Sequence, residues 1–442
     1  MRVKITDIKN INQSVLVQGW IKSVRAQKNF AFVELNDGSQ LKNLQIVIDA
    51  TLPNYEDLIL SLSVGAAIEA QGMLVENPNK KGIEMQATSI TILGTCPKDT
   101  YPLQKKRHSF EFLREIAHLR PRSNTFGAVF RIRNALSFAT HEFFQKRGFL
   151  YINTPIITAS DAEGTGEIFS VSTKDDKPFF GKPTFLTVSG QLNAEAFACA
   201  LSDVYTFGPT FRAEYSTTTR HVAEFWMIEP EMAFADLEVN QNVAEKYLHA
   251  MIETILNTCQ EDLEFLDRFV ENGLIHRLEE AQKPFERITY TKAIELLNKS
   301  GQNFEFPTTW GCDLQTEHEK YLCELFKRPV IVTDYPKEIK AFYMRENDDG
   351  KTVGAMDILV PKIGELVGGS QREERLDILT QKIQALNLDL EEYQWYLDLR
   401  RFGSCEHSGF GVGFGRLVQF ITGMENIRDT IPFPRYPNHA TF

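Results

Sequence analysis

The stretch that decides the fold runs from Gly409 to Ile421 and reads GFGVGFGRLVQFI. Glycine alternates with bulky apolar residues up to Gly415, and the apolar spacing then changes to that of a helix. Because successive side chains of a strand point to opposite faces, the segment predicts a strand whose one face is all glycine, with Arg416 at its end. Such a face allows a flat ligand or another backbone to approach closely. Tight sheet packing alone would also explain the glycines, but it leaves the arginine without a role.

A second segment, Thr210 to Phe225, indicates phosphate chemistry. The two common phosphate-binding motifs are absent: the glycines of residues 409–415 do not follow the spacing GxGxxG, and the chain contains no GxxxxGK[ST] loop. Two extended runs joined by a threonine-rich loop predict a hairpin with Arg212 and Glu214 on one strand face. Such a pair could hold a phosphate and an amine, although a structural cross-strand salt bridge is the usual alternative. The residues that favour a nucleotide are Arg220, His221 and Phe225.

A third segment, Gly364 to Arg375, places a carboxylate and an arginine on either side of a glycine pair. We interpret Gly368 and Gly369 as a flexible turn and Arg372 as the start of a helix. Glu365 could then hold a magnesium ion that bridges phosphates, while Arg372 binds a substrate. Read alone, the segment could equally be a capped helix with surface ion pairs.

Residues 1–95 contain five short apolar runs separated by turn signals, which predicts a five-stranded OB-type barrel. In the second run, Phe30 to Leu35, alternation places Phe32 and Glu34 on the same, solvated face. Phenylalanines on such a face can stack on unpaired bases, although the tip of a loop could cover them instead. The nearby cations that favour an anionic partner are Lys22, Arg25 and Lys28.

The remaining chain divides into a short basic segment and a large domain. Prolines and basic residues interrupt the pattern over residues 96–125, which we interpret as a basic linker or hinge. Over residues 126–442, helices and strands alternate without a regular βαβ repeat, which predicts an α+β domain with a mostly antiparallel sheet flanked by helices. The elements expected after residue 180 include strands at Thr184–Val188, Asp203–Phe207, Glu224–Glu231, Val330–Asp334, Lys340–Tyr343 and Met356–Val360, and helices at Val239–Asn257 and Arg372–Leu386.

The formal net charge of the 442 residues is −11, but the charge is unevenly distributed. Residues 1–125 contain 16 Lys/Arg against 12 Asp/Glu, and the whole excess lies in residues 96–125. A polyanionic partner is therefore expected at this front part, not over the acidic remainder. The six scattered cysteines lack metal-site spacing, and the chain shows no signal or membrane segment. We expect a cytoplasmic protein with reduced thiols and no membrane partner.

Together, the three segments resemble the signature motifs of class II aminoacyl-tRNA synthetases. Nearly the whole chain is similar to the asparaginyl-tRNA synthetase family, within the aspartyl/asparaginyl/lysyl subgroup. Phe126 to Pro155 matches the first motif, Thr206 to Glu231 the second and Gly409 to Arg416 the third. The resemblance implies the class II synthetase fold, an anticodon-binding OB-fold domain over residues 1–95, a catalytic domain over residues 126–442 and a homodimer formed through residues 126–155.

Within the subgroup, the assignment to asparagine rests on two side chains that differ from the aspartyl family. Glu229 stands where that family typically has an aspartate, and Ala194 stands where it uses a lysine to pair with the substrate carboxylate. Loss of that cation disfavours a charged substrate side chain. The stretch Tyr335 to Arg345, YPKEIKAFYMR, is also similar to asparaginyl enzymes.

The resemblance also implies residue roles. At the nucleotide, Arg212 contacts the α-phosphate, Glu214 lies nearby, Arg220 and His221 hold the outer phosphates, Phe225 and Arg416 sandwich adenine, and Glu365 holds Mg²⁺. The amino-acid pocket consists of Glu167, Gln191, Arg212, Glu229 and Arg372, and the anticodon is read by Phe32, Gln45 and Glu84. Arg212 and Arg416 are the catalytic residues, because they stabilise phosphate charge as ATP activates L-asparagine for transfer to the 3′ end of tRNA(Asn).

One departure from the family pattern lies beside Arg416. Gly415 replaces the usual glutamate, so that the motif ends in GFGR, and Gly368 lacks a hydroxyl that aspartyl relatives can offer. We expect retained activity with weakened ATP binding. The alternatives are an aspartyl enzyme that charges one or both tRNAs, a synthetase-derived asparagine synthetase, and a non-catalytic RNA-binding or regulatory paralogue. The N-terminal barrel disfavours the second, and the retained arginines and acids disfavour the third.

Overall fold

The structure is a computed structural model that describes residues 2–78, 82–160, 167–175 and 179–442. It consists of two compact units, residues 1–128 and residues 129–442. None of the helices in these described ranges combines the length and the apolar character that a membrane span requires. All six cysteines are free thiols, as expected from their spacing.

The first unit contains a closed barrel with the strand order β1-β2-β3-β5-β4. The elements are β1 (Ser14–Ala26), β2 (Phe30–Asn36), β3 (Leu44–Asp49), α1 (Tyr55–Ser61), β4 (Ala67–Glu76) and β5 (Ile83–Gly94). On β2, the side chains of Ala31, Val33 and Leu35 are fully buried in the barrel, whereas Phe32 and Glu34 lie on the partly exposed face. The five predicted strands and the two faces of β2 are therefore confirmed, while α1 has no counterpart in the prediction.

The segment after the barrel is more regular than its composition indicates. It contains helix α2 (Phe110–Glu115), whose N-terminus is capped by the Ser109 side chain, and a 3-10 turn at Arg120–Arg122. The rings of Phe110 and Phe126 meet edge to face at 5.9 Å. Part of residues 96–125 is therefore regular, since a capping serine and a ring contact support the short helix.

The second unit is built on an eight-stranded sheet with the order β12-β13-β14-β15-β16-β11-β10-β6, and a smaller sheet has the order β7-β9-β8. The pairs β6–β10 and β12–β13 of the large sheet are parallel, and its other pairs are antiparallel. The strands are β6 (Leu150–Tyr151), β7 (Ile157–Thr158), β8 (Ser170–Val171), β9 (Thr184–Leu186), β10 (Asp203–Phe211), β11 (Glu224–Ala233), β12 (Glu286–Thr289), β13 (Val330–Pro336), β14 (Thr352–Val360), β15 (Gly364–Gln371) and β16 (His407–Gly413). The α+β architecture with a mostly antiparallel sheet is confirmed.

Helices cover this sheet and connect its strands. They are α3 (Asn124–Gln145), which begins in the first unit, α4 (Gln191–Leu201), α5 (Leu237–Thr258), α6 (Gln260–Phe269), α7 (Leu274–Glu280), α8 (Tyr290–Lys299), α9 (Thr316–Phe326), α10 (Leu376–Ala385), α11 (Gln394–Arg401) and α12 (Phe414–Thr422). Their buried apolar faces pack against the strands and cover the central part of the sheet. Polar side chains in this covered region are candidates for function, because burying a polar group costs free energy unless it has a partner.

Two predictions in this unit are wrong. The expected strand at Lys340–Tyr343 is a loop that follows a 3-10 turn at Lys337–Ile339. The glycine pair at 368 and 369 is not a turn but part of β15, so Arg372 follows a strand, and α10 begins only at Leu376. The physical reason is close approach: a Cβ on Gly369 would lie 2.7 Å from the Cβ of Phe410 on the neighbouring β16.

Candidate active site

A cavity of about 280 Å³ opens on the large sheet, where β11, β15 and β16 meet the loop that follows β10. Its wall includes the predicted nucleotide and amino-acid residues Gln191, Arg212, Glu214, Arg220, His221, Phe225, Glu229, Glu365, Arg372 and Arg416. Glu167 does not line it. The Glu167 side chain is exposed, and its backbone carbonyl accepts a hydrogen bond from the backbone N–H of Ala213 at 2.9 Å.

The floor of the cavity contains the glycine face predicted for β16. A Cβ on Gly411 would lie 2.8 Å from the Met227 methyl group, and a Cβ on Gly409 would overlap the Glu231 carboxyl group. Gly411 and Gly413 line the cavity. The glycines therefore serve both interpretations, since they leave room for the side chains of β11 to pack against β16 and keep that face open to the cavity.

The hairpin of β10 and β11 carries the central arginine. Thr210 pairs with Phe225 and Phe211 with Glu224, and the N–H of Arg212 then donates to the carbonyl of Ala223 at 3.0 Å. Arg212 and Glu214 thus lie just beyond the strand and not on its face, which corrects the prediction. The Arg212 guanidinium remains 5.5 Å from the centre of the Phe225 ring, so that a cation and an aromatic face line one part of the cavity.

At the outer end, Arg220 and Arg416 are both electrostatic neighbours of the Glu365 carboxylate. Arg220 donates to Glu319 at 3.3 Å and to the carbonyl of Ile363 at 2.9 Å. Arg416 donates to the carbonyl of Glu365 at 3.1 Å, and its Nη1 lies 3.6 Å from the Glu365 carboxylate. Although burial alone would raise the pKa of Glu365, Arg416 and the neighbouring cations hold that pKa below its ordinary value. Glu365 is therefore an ionised carboxylate at neutral pH.

Asp357 is the residue that sequence reasoning missed at this end. It pairs across the sheet with Gly368, and a Cβ on Gly368 would lie 3.1 Å from Glu365 Oε1 and 3.6 Å from Asp357 Oδ1. The absence of a side chain at 368 thus leaves a space between two carboxylates, a donor set that suits Mg²⁺ bound together with phosphates. Lys340, also missed, donates to Asp357 at 2.8 Å. The sequence feature that could have indicated Asp357 is its position as the one acid within the apolar run of β14.

The opposite end of the cavity is lined by hydrogen-bonded acids. Glu229 is 5% exposed and accepts from the Ser189 hydroxyl, from the Gly190 N–H at 2.9 Å and from the Thr206 hydroxyl at 3.2 Å. Arg372 forms a two-pronged ion pair with Glu231 and donates to Ser370 at 2.9 Å. These contacts hold both the acid and the guanidinium in single orientations, as recognition of a small polar ligand requires.

The barrel forms a separate candidate site within the first unit. Gln45 lies opposite Glu34 on β2 and opposite Glu84 on β5. The Gln45 amide donates to the Glu84 carboxylate at 2.8 Å, and Phe32 lies on the same face, with its ring centre 5.1 Å from that of Phe30. The structure thus brings together Phe32, Gln45 and Glu84, which are far apart in the sequence. An aromatic face beside fixed polar groups suits stacking and edge recognition of an unpaired base.

Gly415, the departure from the expected motif, lies in the first turn of α12. A Cβ at this position would lie 3.2 Å from Ile427 Cδ1 and 3.5 Å from the Thr430 hydroxyl. A larger residue would therefore fit only if Ile427 moved by a few tenths of an ångström.

The antiparallel sheet, the glycine-faced strand and the arginine-bearing hairpin define a class II aminoacyl-tRNA synthetase. Residues 110–437 match the family described as tRNA synthetases class II (D, K and N), and residues 15–93 match the OB-fold nucleic acid binding domain. Asparagine–tRNA ligase from Protochlamydia amoebophila is 58% identical, with 100% of each chain covered, and the enzyme from Microcystis aeruginosa is 59% identical, with 98% of this chain and 97% of that protein covered.

Solved structures show the same relationship. Asparaginyl-tRNA synthetase from Pyrococcus horikoshii, complexed with asparaginyl-adenylate, superposes with a TM-score of 0.90 at 31% identity and covers 100% of this chain and 99% of that one. The Entamoeba histolytica enzyme, also with asparaginyl-adenylate, gives 0.88 at 27% identity, with 100% and 99% covered. The chain therefore belongs to the asparagine–tRNA ligase family.

Proposed function

We propose that the protein uses ATP to convert L-asparagine to asparaginyl-adenylate and transfers the asparaginyl group to the 3′ end of tRNA(Asn). The observation that carries this proposal is a single cavity with Arg212, Arg220 and Arg416 towards one end and, towards the other, Glu229 and Arg372, each held in place by its own hydrogen bonds. No lysine projects from position 194, where Ala194 is fully buried. A neutral carboxamide therefore suits this end better than a carboxylate.

The reaction follows from positioning and needs no protein nucleophile. An oxygen of the asparagine carboxylate attacks the α-phosphorus of ATP, the bond to the β-phosphate oxygen breaks, and pyrophosphate leaves. We assign Arg212 to the α-phosphate and the asparagine carboxylate, and Arg416 and Phe225 to adenine, since all three line the cavity. Charge that develops on the phosphate is stabilised by the guanidinium groups, whose positions are set before substrate binds. A ribose hydroxyl of the tRNA then attacks the acyl carbon and releases AMP.

We propose that Glu365 and Asp357 hold Mg²⁺ together with the ATP phosphates. Bound there, the ion would neutralise phosphate charge. Arg220 and His221 would hold the outer phosphates. Burial and the nearby Arg416 keep the pKa of His221 below its ordinary value, so at neutral pH His221 would contribute hydrogen bonds more than charge.

We propose that the barrel, residues 1–95, reads the anticodon through Phe32, Gln45 and Glu84, that residues 96–125 act as the hinge, and that residues 126–442 form the catalytic domain. We further propose a homodimer formed through residues 126–155. Three large apolar side chains within these residues are exposed: Phe138 at 69%, Leu150 at 47% and Tyr151 at 38%. We take these exposed apolar side chains as support for a protein interface in this segment. Since tRNA charging supplies the ribosome, the cytoplasm is the proposed compartment.

ATP–pyrophosphate exchange with asparagine, aspartate and lysine tested separately distinguishes the possible functions. We expect exchange with asparagine, and charging of tRNA(Asn) when tRNA is added. A stronger signal with aspartate would overturn the choice of amino acid, and the absence of any exchange would support a non-catalytic role. Arg212→Ala serves as the negative control, since it removes the central cation. For the dimer, the molar mass of Phe138→Asp in solution should fall to that of one chain.

A further inference from the structure

Beneath the amino-acid end of the cavity lies a completely buried carboxylate, Glu195 of α4, which no role above uses. It accepts hydrogen bonds from Arg400 at 2.8 Å, from the Tyr396 hydroxyl at 2.8 and 2.9 Å, and from the Gln191 amide at 3.0 Å. Nε2 of His407 lies 3.0 Å from it. Four side chains from α4, α11 and β16 thus converge on one acid, which is more than the anchoring of a helix requires.

The charge on Glu195 is permanent at neutral pH. Burial alone would raise the pKa of this carboxyl, but Arg400 and His407 hold the pKa well below its ordinary value. The carboxylate also lies 3.9 Å from Nε of Arg372, a cavity-lining arginine that already forms its ion pair with Glu231. Two carboxyl groups therefore share one guanidinium, so that Arg372 offers less net attraction to an anion brought in by a ligand.

Glu195 also orients Gln191, which lines the cavity one turn earlier on α4. A carboxylate can only accept hydrogen bonds, so the NH₂ group of Gln191 must point towards it. The amide oxygen is then the end available to a ligand. That oxygen can accept from an ammonium or a carboxamide NH₂, but it repels a carboxylate.

We propose that Glu195 is a specificity-determining positioning residue whose buried charge, acting through Arg372 and Gln191, makes the cavity favour asparagine over aspartate. The inference rests on the proposed amino-acid activation. Both substrates share the α-carboxylate and the ammonium, so the charge of Glu195 distinguishes them only at the side chain. The cation that aspartyl relatives carry at the position of Ala194 is absent, and the neighbouring Glu195 adds an anion beneath the amino-acid end of the cavity.

The test is the ratio of kcat/KM for asparagine to kcat/KM for aspartate in ATP–pyrophosphate exchange. Glu195→Gln keeps the shape of the side chain and removes its charge. We expect the ratio to fall roughly tenfold or more, mainly because aspartate is used better once the buried negative charge is gone. Arg400→Gln removes the opposite charge and should raise the ratio. Removing both charges in one chain should return the ratio towards that of the wild type.

The matched control is Glu271→Gln, which neutralises a carboxylate paired with Arg277 at 2.7 Å outside the cavity and should leave the ratio unchanged. The variant that combines Glu195→Gln with Arg400→Gln leaves neither charge without its partner, so it tests the role of Glu195 even if Glu195→Gln alone does not fold. Equal losses for both amino acids, or an unchanged ratio in all three pocket variants, would overturn the role of Glu195. If the wild type itself showed no exchange with asparagine, the proposed function would fail instead.

Discussion

Arg372→Gln should destabilise the catalytic unit strongly and abolish asparagine activation. Arg372 is 3% exposed and Glu231 is fully buried, so the substitution leaves a buried carboxylate without its counter-charge. The substitution also removes the hydrogen bond that Arg372 donates to Ser370. A glutamine at this position could replace only one of the two hydrogen bonds to Glu231. Breaking such a pair from one side costs about 3 to 5 kcal/mol, against a total stability of about 5 to 15 kcal/mol.

The loss should depend on pH. Burial raises the pKa of Glu231, and Arg372 opposes that rise in the wild type. The pKa of Glu231 reaches about 8 in the wild type, and without the arginine it rises further. Above about pH 8 the folded wild type releases this proton whereas the folded variant retains it, so the variant continues to lose stability as pH rises while the wild type no longer does. Urea unfolding midpoints should therefore show a smaller deficit for Arg372→Gln at pH 7 than at pH 9.5.

A second substitution separates the stability of the unit from its function. Adding Glu231→Gln removes the stranded charge, so the urea midpoint should recover, while exchange with asparagine should remain absent because the guanidinium is still missing. An Arg372→Gln variant as stable as the wild type at both pH values would refute the reasoning, because Glu231 would then not depend on its partner.

Four other perturbations test further sites. Burial raises the pKa of Glu319 to about 7, so the folded protein holds a proton there that the unfolded chain releases at lower pH. The free energy of unfolding, measured by urea midpoints, should therefore decline towards pH 7 in the wild type and decline less steeply in Glu319→Gln. Lys340→Met should tighten Mn²⁺ binding by the nucleotide-free protein, measured by electron paramagnetic resonance, because Asp357 loses its ammonium partner; unchanged affinity would contradict this. Gln45→Ala should lower tRNA charging at least tenfold while leaving amino-acid activation intact, in keeping with one charge-assisted hydrogen bond of about 1.5 to 3 kcal/mol. Gly415→Glu should lower the KM for ATP, and an unchanged KM and activation rate would show that the glycine is harmless.

Patterns along one strand or helix were sufficient to predict much of this fold. Alternation placed Phe32 outside the barrel, and the glycine spacing predicted β16, because both signals depend on neighbours two residues apart. The glycines at 368 and 369 misled the prediction. A glycine pair is typical of a turn, but these two let β15 approach β16 and leave space beside Glu365. That role depends on a strand about 40 residues away in the sequence.

The candidate site was predictable where several of its residues share a motif, as Arg212, Glu214 and Phe225 do. Asp357, Lys340 and Glu195 each stand alone in an apolar or mixed segment, and their importance arises from which partners the sheet places beside them. A single buried charge in the sequence indicates that a partner exists but not which one. That the Glu167 side chain is exposed could likewise not be read from its residue type.

The packing of Gly409 against Glu231 also has a genetic consequence. Any base change that replaces glycine with another amino acid adds at least a Cβ. At position 409 that Cβ would occupy the space of the Glu231 carboxyl group. In a library of random single substitutions selected for growth that depends on this enzyme, position 409 should therefore remain glycine in nearly all survivors. Gly413, whose nearest neighbour would be the Arg416 side chain at 3.9 Å, should by contrast accept alanine. Two glycines of one alternating strand would thus differ sharply in tolerance, because one faces a buried ion pair and the other faces open cavity.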